Sequence, residues 1–140
     1  MSKTNAFEND LLELIFNAVA IADIAENDTT SPATTLTVSL HTASPGEAGD
    51  MSANEATYTG YARVTVARTS GGWTVTGNSV SPTSNIDFPT ATGGSETITH
   101  VGIGSGTGNN LMYYGALSPT IAVSNGVTPR ITTASTITED

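Results

Sequence analysis

Residues 35–41 read TLTVSLH, a stretch in which polar and apolar side chains alternate without a break. Side chains of an extended chain point alternately to opposite faces, so Leu36, Val38 and Leu40 share one face and the polar residues take the other. Alternation of this kind predicts a half-buried β-strand. The last residue of the stretch, His41, falls on its polar face.

Short strand-like segments follow, separated by Gly, Asn, Ser and Pro. They lie at residues 57–69, from 73 onward, and at 85–88, 96–104, 111–117, 120–123 and 130–138. In the first of them Ala62, Val64 and Val66 are expected to point inward, and the turn at 70–72 leads to Trp73, which predicts a hairpin. Many short strands with regularly spaced turns predict a mainly β fold, either an antiparallel β-sandwich or a jelly-roll-like, Greek-key barrel.

One α-helix is predicted ahead of the strands. Residues 5–22 carry apolar side chains at helical spacing, and Asn5 with Glu8 three residues later forms a capping-box pattern. The apolar stripe is wider than a surface helix of a small domain needs. Two alternatives follow: the helix packs on its own sheet, or part of it docks on a partner subunit. The predicted segments are a helix at 1–24, a linker at 25–34 and a single globular β-sandwich unit at 35–140.

Two elements are candidate contacts with other subunits. Leu11, Leu14 and Ile15 lie on the helix stripe, while Ile131 and Ile137 lie in a C-terminal segment that alternates like an edge strand. Strand edges and amphipathic helices are ready docking elements. We therefore expect these five residues to form an interface and the protein to be a symmetric homo-oligomer, with a trimer among the options.

The composition excludes several classes of partner. The chain has 140 residues, a size typical of one domain, and a formal net charge of −9 with only four Lys and Arg. Nucleic acids and anionic membranes both require clustered cations, so neither is an expected partner. No cysteine is present to form a disulfide or a thiolate zinc site. No membrane span or secretory signal is predicted either, which favours a protein made in the cytoplasm.

No set of residues points to catalysis, to a cofactor or to a metal. His41 and His100 have no orienting partner nearby in the sequence, and structural or surface roles are expected for both. A long acidic surface loop at 43–56 offers carboxylates to a hard cation, but the spacing of an EF-hand is absent. The carboxylates are Glu47, Asp50 and Glu55. We expect a solvated loop and a protein that is not an enzyme.

The glycine-rich segment at 102–106 could be mistaken for a phosphate-binding loop. Such loops lie between a strand and a helix, whereas the residues that follow here are strand-like. A hairpin loop is therefore predicted.

Aromatic residues leave a carbohydrate-binding alternative open. Tyr58 and Tyr61 flank a Thr-Gly pair, and exposed rings there could stack on a sugar, although packing is the more common role of aromatic residues. Exposure of Tyr58, Tyr61 and Trp73 on one face would favour glycan binding. Burial of Trp73 would count against it.

Nearly the whole chain resembles a family of small virion proteins of tailed bacteriophages, often labelled tail fibre proteins. The segments that carry the resemblance are NDLLELIFN at 9–17, SLHTA at 39–43, PGEAG at 45–49, YTGYARV at 58–64, FP at 88–89, TITH at 97–100, GIG at 102–104, NG at 125–126 and Pro129. The resemblance implies no catalytic residues. It implies a structural protein that is located in the virion and made in the host cytoplasm.

Because the chain is short and has no repeats, unlike long fibres, its size favours a capsid decoration (cement) protein that stabilises the head by binding coat subunits. The alternative is a tail fibre or tail-tip module that binds host-surface glycans. The expected partners are the phage major capsid protein or other virion proteins, and many copies would multiply modest contacts.

Overall fold

A computed structural model describes residues 3–21, 25, 32–105 and 108–139. Helix α1 spans Asn5–Asn17, shorter than the predicted 5–22. The predicted cap is wrong by one position, because Thr4 is the N-cap and its side chain accepts from the Phe7 N–H. The helix ends where Ala18 adopts a left-handed conformation with φ of 58°.

In the described part of the chain, nine strands follow the helix. They are β1 (Thr35–His41), β2 (Val64–Ala67), β3 (Trp73–Thr76), β4 (Ser79–Pro82), β5 (Ile86–Asp87), β6 (Glu96–Ser105), β7 (Leu111–Val123), β8 (Arg130–Ile131) and β9 (Ile137–Thr138). The described strands form three sheets, with the orders β2-β1-β6-β7, β3-β4-β9 and β5-β8. The prediction of a mainly β fold with antiparallel pairing and one helix near the N-terminus is confirmed.

The chain divides into two compact units. Unit 1 takes Met1–Thr34, Ala67–Ile86 and Ile131–Asp140, and unit 2 takes Thr35–Val66 and Asp87–Arg130. This division groups the residues differently from the predicted helix, linker and β segments, whose boundaries stay a prediction. Most of the predicted linker lies outside the described residues.

Unit 1 is built around an aromatic contact between helix and sheet. Phe16 and Trp73 are buried and meet edge to face, with ring centroids 4.9 Å apart and an interplanar angle of 67°. Leu12 of the helix and Val80 of β4 are buried as well. Burial of two rings and two aliphatic side chains gives this small unit a core of its own.

The hairpin predicted at residues 70–72 is wrong. β2 belongs to the four-stranded sheet, while β3 pairs with β4 through a two-residue turn at Gly77 and Asn78, where Gly77 has φ of 61°. A positive φ at the first turn position is what glycine supplies in tight hairpins. The strand predicted at 57–69 is also shorter, since only Val64–Ala67 is strand, and Ala62 is exposed instead of inward.

Unit 2 holds the four-stranded sheet, and its strand β1 differs from the prediction. All residues from Leu36 to His41 are buried, so the strand is covered on both faces instead of one. The loop at 43–56, predicted to lie on the surface, supplies part of the cover, because the carbonyl of Ala53 bonds the His41 ring and Met51 is fully buried. A central strand with both faces covered needs hydrogen bonds for its polar side chains.

Two predicted segments change their boundaries towards the C-terminus. The strands predicted at 111–117 and 120–123 join into β7, which runs for 13 residues. The strand predicted at 130–138 is instead two short strands, β8 and β9, and β9 is an edge strand of its sheet.

Candidate functional site

A buried serine and histidine pair is the most conspicuous polar feature of unit 2. Ser39 Oγ lies 2.8 Å from His41 Nε2, and His41 Nδ1 lies 2.9 Å from the carbonyl oxygen of Ala53. A carbonyl only accepts, so Nδ1 carries the proton and donates it, and Nε2 accepts from the Ser39 hydroxyl. The same arrangement activates nucleophiles in enzymes. Here both side chains are 0% exposed, so the pair satisfies the polar groups of a buried strand and offers no access to a substrate.

Gly102 makes room for this pair. It lies opposite Ser39 in the neighbouring strand β6, and a Cβ at this position would lie 2.7 Å from His41 Nε2 and 2.8 Å from Ser39 Oγ. Such distances are too short for any side chain. The glycine therefore permits the close packing of the Ser39–His41 pair. The loop predicted at 102–106 begins later, since Gly102–Ser105 belongs to β6 and Gly106 lies outside the described residues.

The environment of His41 predicts that unit 2 loses stability in acid. Burial lowers the pKa of His41 against the opposing effects of the Ala53 carbonyl and Glu55, and Arg63 and His100 lower it further. An unfolded histidine has a pKa of about 6.5. Below that pH the unfolded chain takes up a proton that the folded chain refuses, so stability is complete above it and falls as pH drops towards the folded pKa.

We expect the urea midpoint to decrease between pH 7.5 and pH 5.5, as followed by circular dichroism. His41→Gln should flatten this dependence, because the amide does not titrate, whatever it does to absolute stability. His100→Gln is the matched control and should keep most of the slope, because His100 is the smallest of the influences that act on the pKa of His41. An unchanged slope in His41→Gln would contradict the assignment.

The second histidine and the acidic loop form no site. His100 is half-buried, lies opposite His41 in register, and its Nδ1 is 2.8 Å from Thr99 Oγ1. Of the three loop carboxylates, Glu47 and Asp50 are exposed, and Glu55 forms an ion pair with Arg63. Across the described ranges no group of three potential ligands could hold a metal ion.

Glu55 is instead the centre of an ion-pair cluster that the sequence did not indicate. Its carboxylate accepts from Arg63 Nε at 2.6 Å and from Nη2 at 2.7 Å, and from the Tyr61 hydroxyl at 2.9 Å. Tyr61 Oη also accepts from the Leu40 N–H, which fixes the cluster to β1. Burial raises the pKa of Tyr61 far above its usual range. The cluster therefore connects strand β1 to the loop at 43–56.

The aromatic residues considered for glycan stacking are mostly buried. Trp73 is 1% exposed and Tyr58 is 3% exposed, and Tyr58 donates to the carbonyl of Pro89. Tyr61 stacks on Phe88 with an interplanar angle of 11°. These rings form core contacts, so the hypothesis of an exposed stacking face made by Tyr58, Tyr61 and Trp73 is wrong.

The five candidate interface residues all lie in unit 1. Leu11, Leu14 and Ile15 are half-buried on α1, while Ile131 is buried in β8 and Ile137 pairs with Val80. Their role as an interface stays a prediction. Two apolar side chains of this region are more exposed: Phe7 in the helix (37%) and Val19, two residues beyond its end (51%).

Arg68 is a residue that sequence reasoning missed. Its guanidinium donates to the Leu14 and Ile15 carbonyls at 2.5 and 2.7 Å, and to the Ala33 carbonyl at 3.2 Å. The last carbonyls of a helix have no partner within it. Arg68 therefore caps the C-terminal end of α1. The sequence signal that could have found Arg68 is the small number of cations, since each of the four Lys and Arg residues forms a specific bond within the chain.

Comparison with known protein families gives a match over nearly the whole chain. The sequence profile of a family described as podophage GP4 fiber I protein gp80 matches residues 2–139. The chain belongs to this family. A search of curated proteins found no match. Membership of the Gp80 family confirms the resemblance to tailed-phage virion proteins and makes the chain a structural virion protein. No helix in the described part of this Gp80 family member is long and apolar enough to cross a membrane.

Proposed function

We propose that the chain is a structural component of a podophage tail fibre. The observation that carries the proposal is the match of residues 2–139 to a family described as a fiber I protein. Because the match covers nearly the whole chain, the fibre role applies to the molecule as a unit. The family description favours the fibre over the capsid decoration role that size and composition suggested.

The internal bonding of the chain supports a structural role without catalysis. Ser39 and His41 have hydroxyl and imidazole groups suited to chemistry, but both are buried and bonded to the chain itself. We therefore propose that the protein is not an enzyme.

The cations also act within the chain. Each of the four bonds to a carboxylate or a carbonyl of the same molecule. The bonds are Lys3 to Glu139, Arg63 to Glu55, Arg68 to Leu14, and Arg130 to Asp87. A net charge of −9 with its cations engaged in this way favours protein partners over nucleic acid. The proposed partners are other proteins of the virion.

Labelling of intact virions tests the location. Gold-tagged antibody against the purified protein should bind to the tail region in electron micrographs, and pre-incubation with free protein should abolish the label. Label spread evenly over the head would overturn the fibre proposal and favour capsid decoration. Absence of the protein from purified virions, measured by mass spectrometry, would overturn both.

A further inference from the structure

The loop at 43–56 covers part of the polar face of β1 and is attached to that strand at both of its ends. The Thr42 N–H donates to the Asn54 carbonyl at 2.9 Å, and the Ala56 N–H donates to the Leu40 carbonyl at 2.8 Å. Between these bonds the described chain forms turns and bends, without a helix or a strand. A segment with few ladder bonds opens more easily than the sheet beneath it.

Met51 attaches the middle of this loop to the sheet. Its side chain is fully buried, and its N–H donates to the Asn109 carbonyl at 3.0 Å. Gly104 of β6 leaves room for the side chain, because a Cβ at that position would overlap Met51 Sδ. A buried thioether is shielded from oxidants dissolved in water. The oxidation of Met51 therefore reports whether the loop is closed or open.

The closed loop requires a neutral His41. The Ser39 hydroxyl donates to His41 Nε2, while Nδ1 donates to the Ala53 carbonyl. An imidazolium carries a proton on both nitrogens and accepts nothing, so protonation of His41 deprives the buried Ser39 hydroxyl of its acceptor. Gly102, which faces the pair from β6, has no side chain to replace that acceptor. A buried charge and an unsatisfied hydroxyl both cost free energy, and both costs disappear when water reaches the ring.

The charged groups around His41 do not remove this cost. Burial is the main influence that lowers the pKa of His41, and Arg63 and His100 lower it further, against the Ala53 carbonyl and Glu55. Glu55 is already engaged with Arg63 through two hydrogen bonds. Although burial raises the pKa of Glu55, these bonds outweigh it and hold the pKa below its usual range. The end of the loop at Glu55 therefore stays attached between pH 7.5 and pH 5.5.

We propose that acid opens the loop at 43–56 locally, which uncovers Met51 and the Ser39–His41 pair while the four-stranded sheet stays folded. Glu55 is the fixed end of the opening segment. In the open form water reaches the imidazolium, whereas the sheet keeps the ladder bonds of β1 with β6 and of β6 with β7. This local opening is a different event from the unfolding of unit 2, and it makes the surface of the unit depend on pH wherever the protein lies in the virion.

Oxidation of methionine by hydrogen peroxide, measured by peptide mass spectrometry on the purified chain, tests the opening. Met112, half-buried in β7, is the internal reference for any effect of pH on the reagent. A hydrated histidine has a pKa of about 6.5, so the open fraction, and with it the ratio of the Met51 rate to the Met112 rate, should rise about tenfold from pH 7.5 to pH 5.5. The far-ultraviolet circular dichroism should stay unchanged. His41→Gln should abolish the rise, and His100→Gln, the matched control, should keep most of it.

Three results would overturn the proposal. They are a Met51 to Met112 ratio that stays constant between pH 7.5 and pH 5.5, a rise that accompanies loss of the circular dichroism signal, and a rise that persists in His41→Gln. The first two need only the wild-type protein, so the test stands even if a variant fails to fold.

Discussion

Replacing Trp73 by alanine is expected to lower the free energy of unfolding by about 3–5 kcal/mol. Trp73 is 1% exposed and packs edge to face on Phe16, so the substitution removes the largest side chain from a small core and leaves a cavity. Domains of this size are stable by only about 5–15 kcal/mol. Urea denaturation followed by far-ultraviolet circular dichroism should show the loss as a lower midpoint.

Two further variants separate the cavity from other effects of the substitution. Trp73→Phe keeps a ring but removes the buried indole N–H, which has no hydrogen-bond partner among the residues that the structure describes. The loss of an unsatisfied donor offsets part of the lost volume, so this variant should cost less than the alanine variant. Tyr114→Ala, at a position that is 40% exposed, should change stability little. Equal losses in Trp73→Ala and Tyr114→Ala would contradict the assignment of Trp73 to the core.

The alternating stretch at 35–41 predicted a strand correctly but not its surroundings. Alternation reports which way side chains point, and it does not report what covers each face. The polar face of β1 can be buried because Ser39 bonds to His41 and His41 donates to the carbonyl of Ala53, which offsets the cost of burying both side chains. The partner that makes burial tolerable lies in a loop, and no local pattern identifies it.

Strand pairing was the other feature that local sequence patterns did not predict. The turn at 70–72 and the turn at Gly77-Asn78 both contain glycine, but only the second joins two paired strands. Trp73–Thr76 and Ser79–Pro82 have equal lengths and leave two residues between them, as tight hairpins require. Counting residues between alternating segments could have identified this hairpin. The pairing of β1 with β6 is distant in sequence and could not be found in that way.

At the candidate site, too, the sequence shows which residues carry charge but not which residues they pair with. Glu55 was grouped with Glu47 and Asp50 because the three carboxylates are close in sequence. In the fold the chain reverses between residues 55 and 63, and the partner of Glu55 is Arg63. Proximity in the sequence predicted a solvated acidic loop and missed the ion pair of Glu55 with Arg63, since a pairing of this kind depends on the path of irregular backbone.

Removal of this ion pair is expected to have the second largest effect on stability. Glu55→Ala should lower the free energy of unfolding by about 2–3 kcal/mol, less than for a fully buried pair, because both side chains keep some exposure. Among the hydrogen bonds of the described residues, the variant leaves the Arg63 guanidinium with the one to the Gly108 carbonyl, at 3.1 Å, and it deprives Tyr61 of its acceptor. Glu47→Ala removes an exposed carboxylate from the same loop and is the matched control.

The dependence on pH distinguishes the lost charge from lost packing. Burial raises the pKa of Glu55, but the hydrogen bonds from Arg63 and Tyr61 outweigh it and hold the pKa below its usual range. A carboxylate with a lowered pKa stabilises the fold above the unfolded value of about 4.3, and this contribution is lost as pH falls towards the folded pKa. The difference between wild type and Glu55→Ala in urea denaturation should therefore shrink from pH 7 to pH 3. A difference that stays constant over this range would mean that the carboxylate acts through packing and not through its charge.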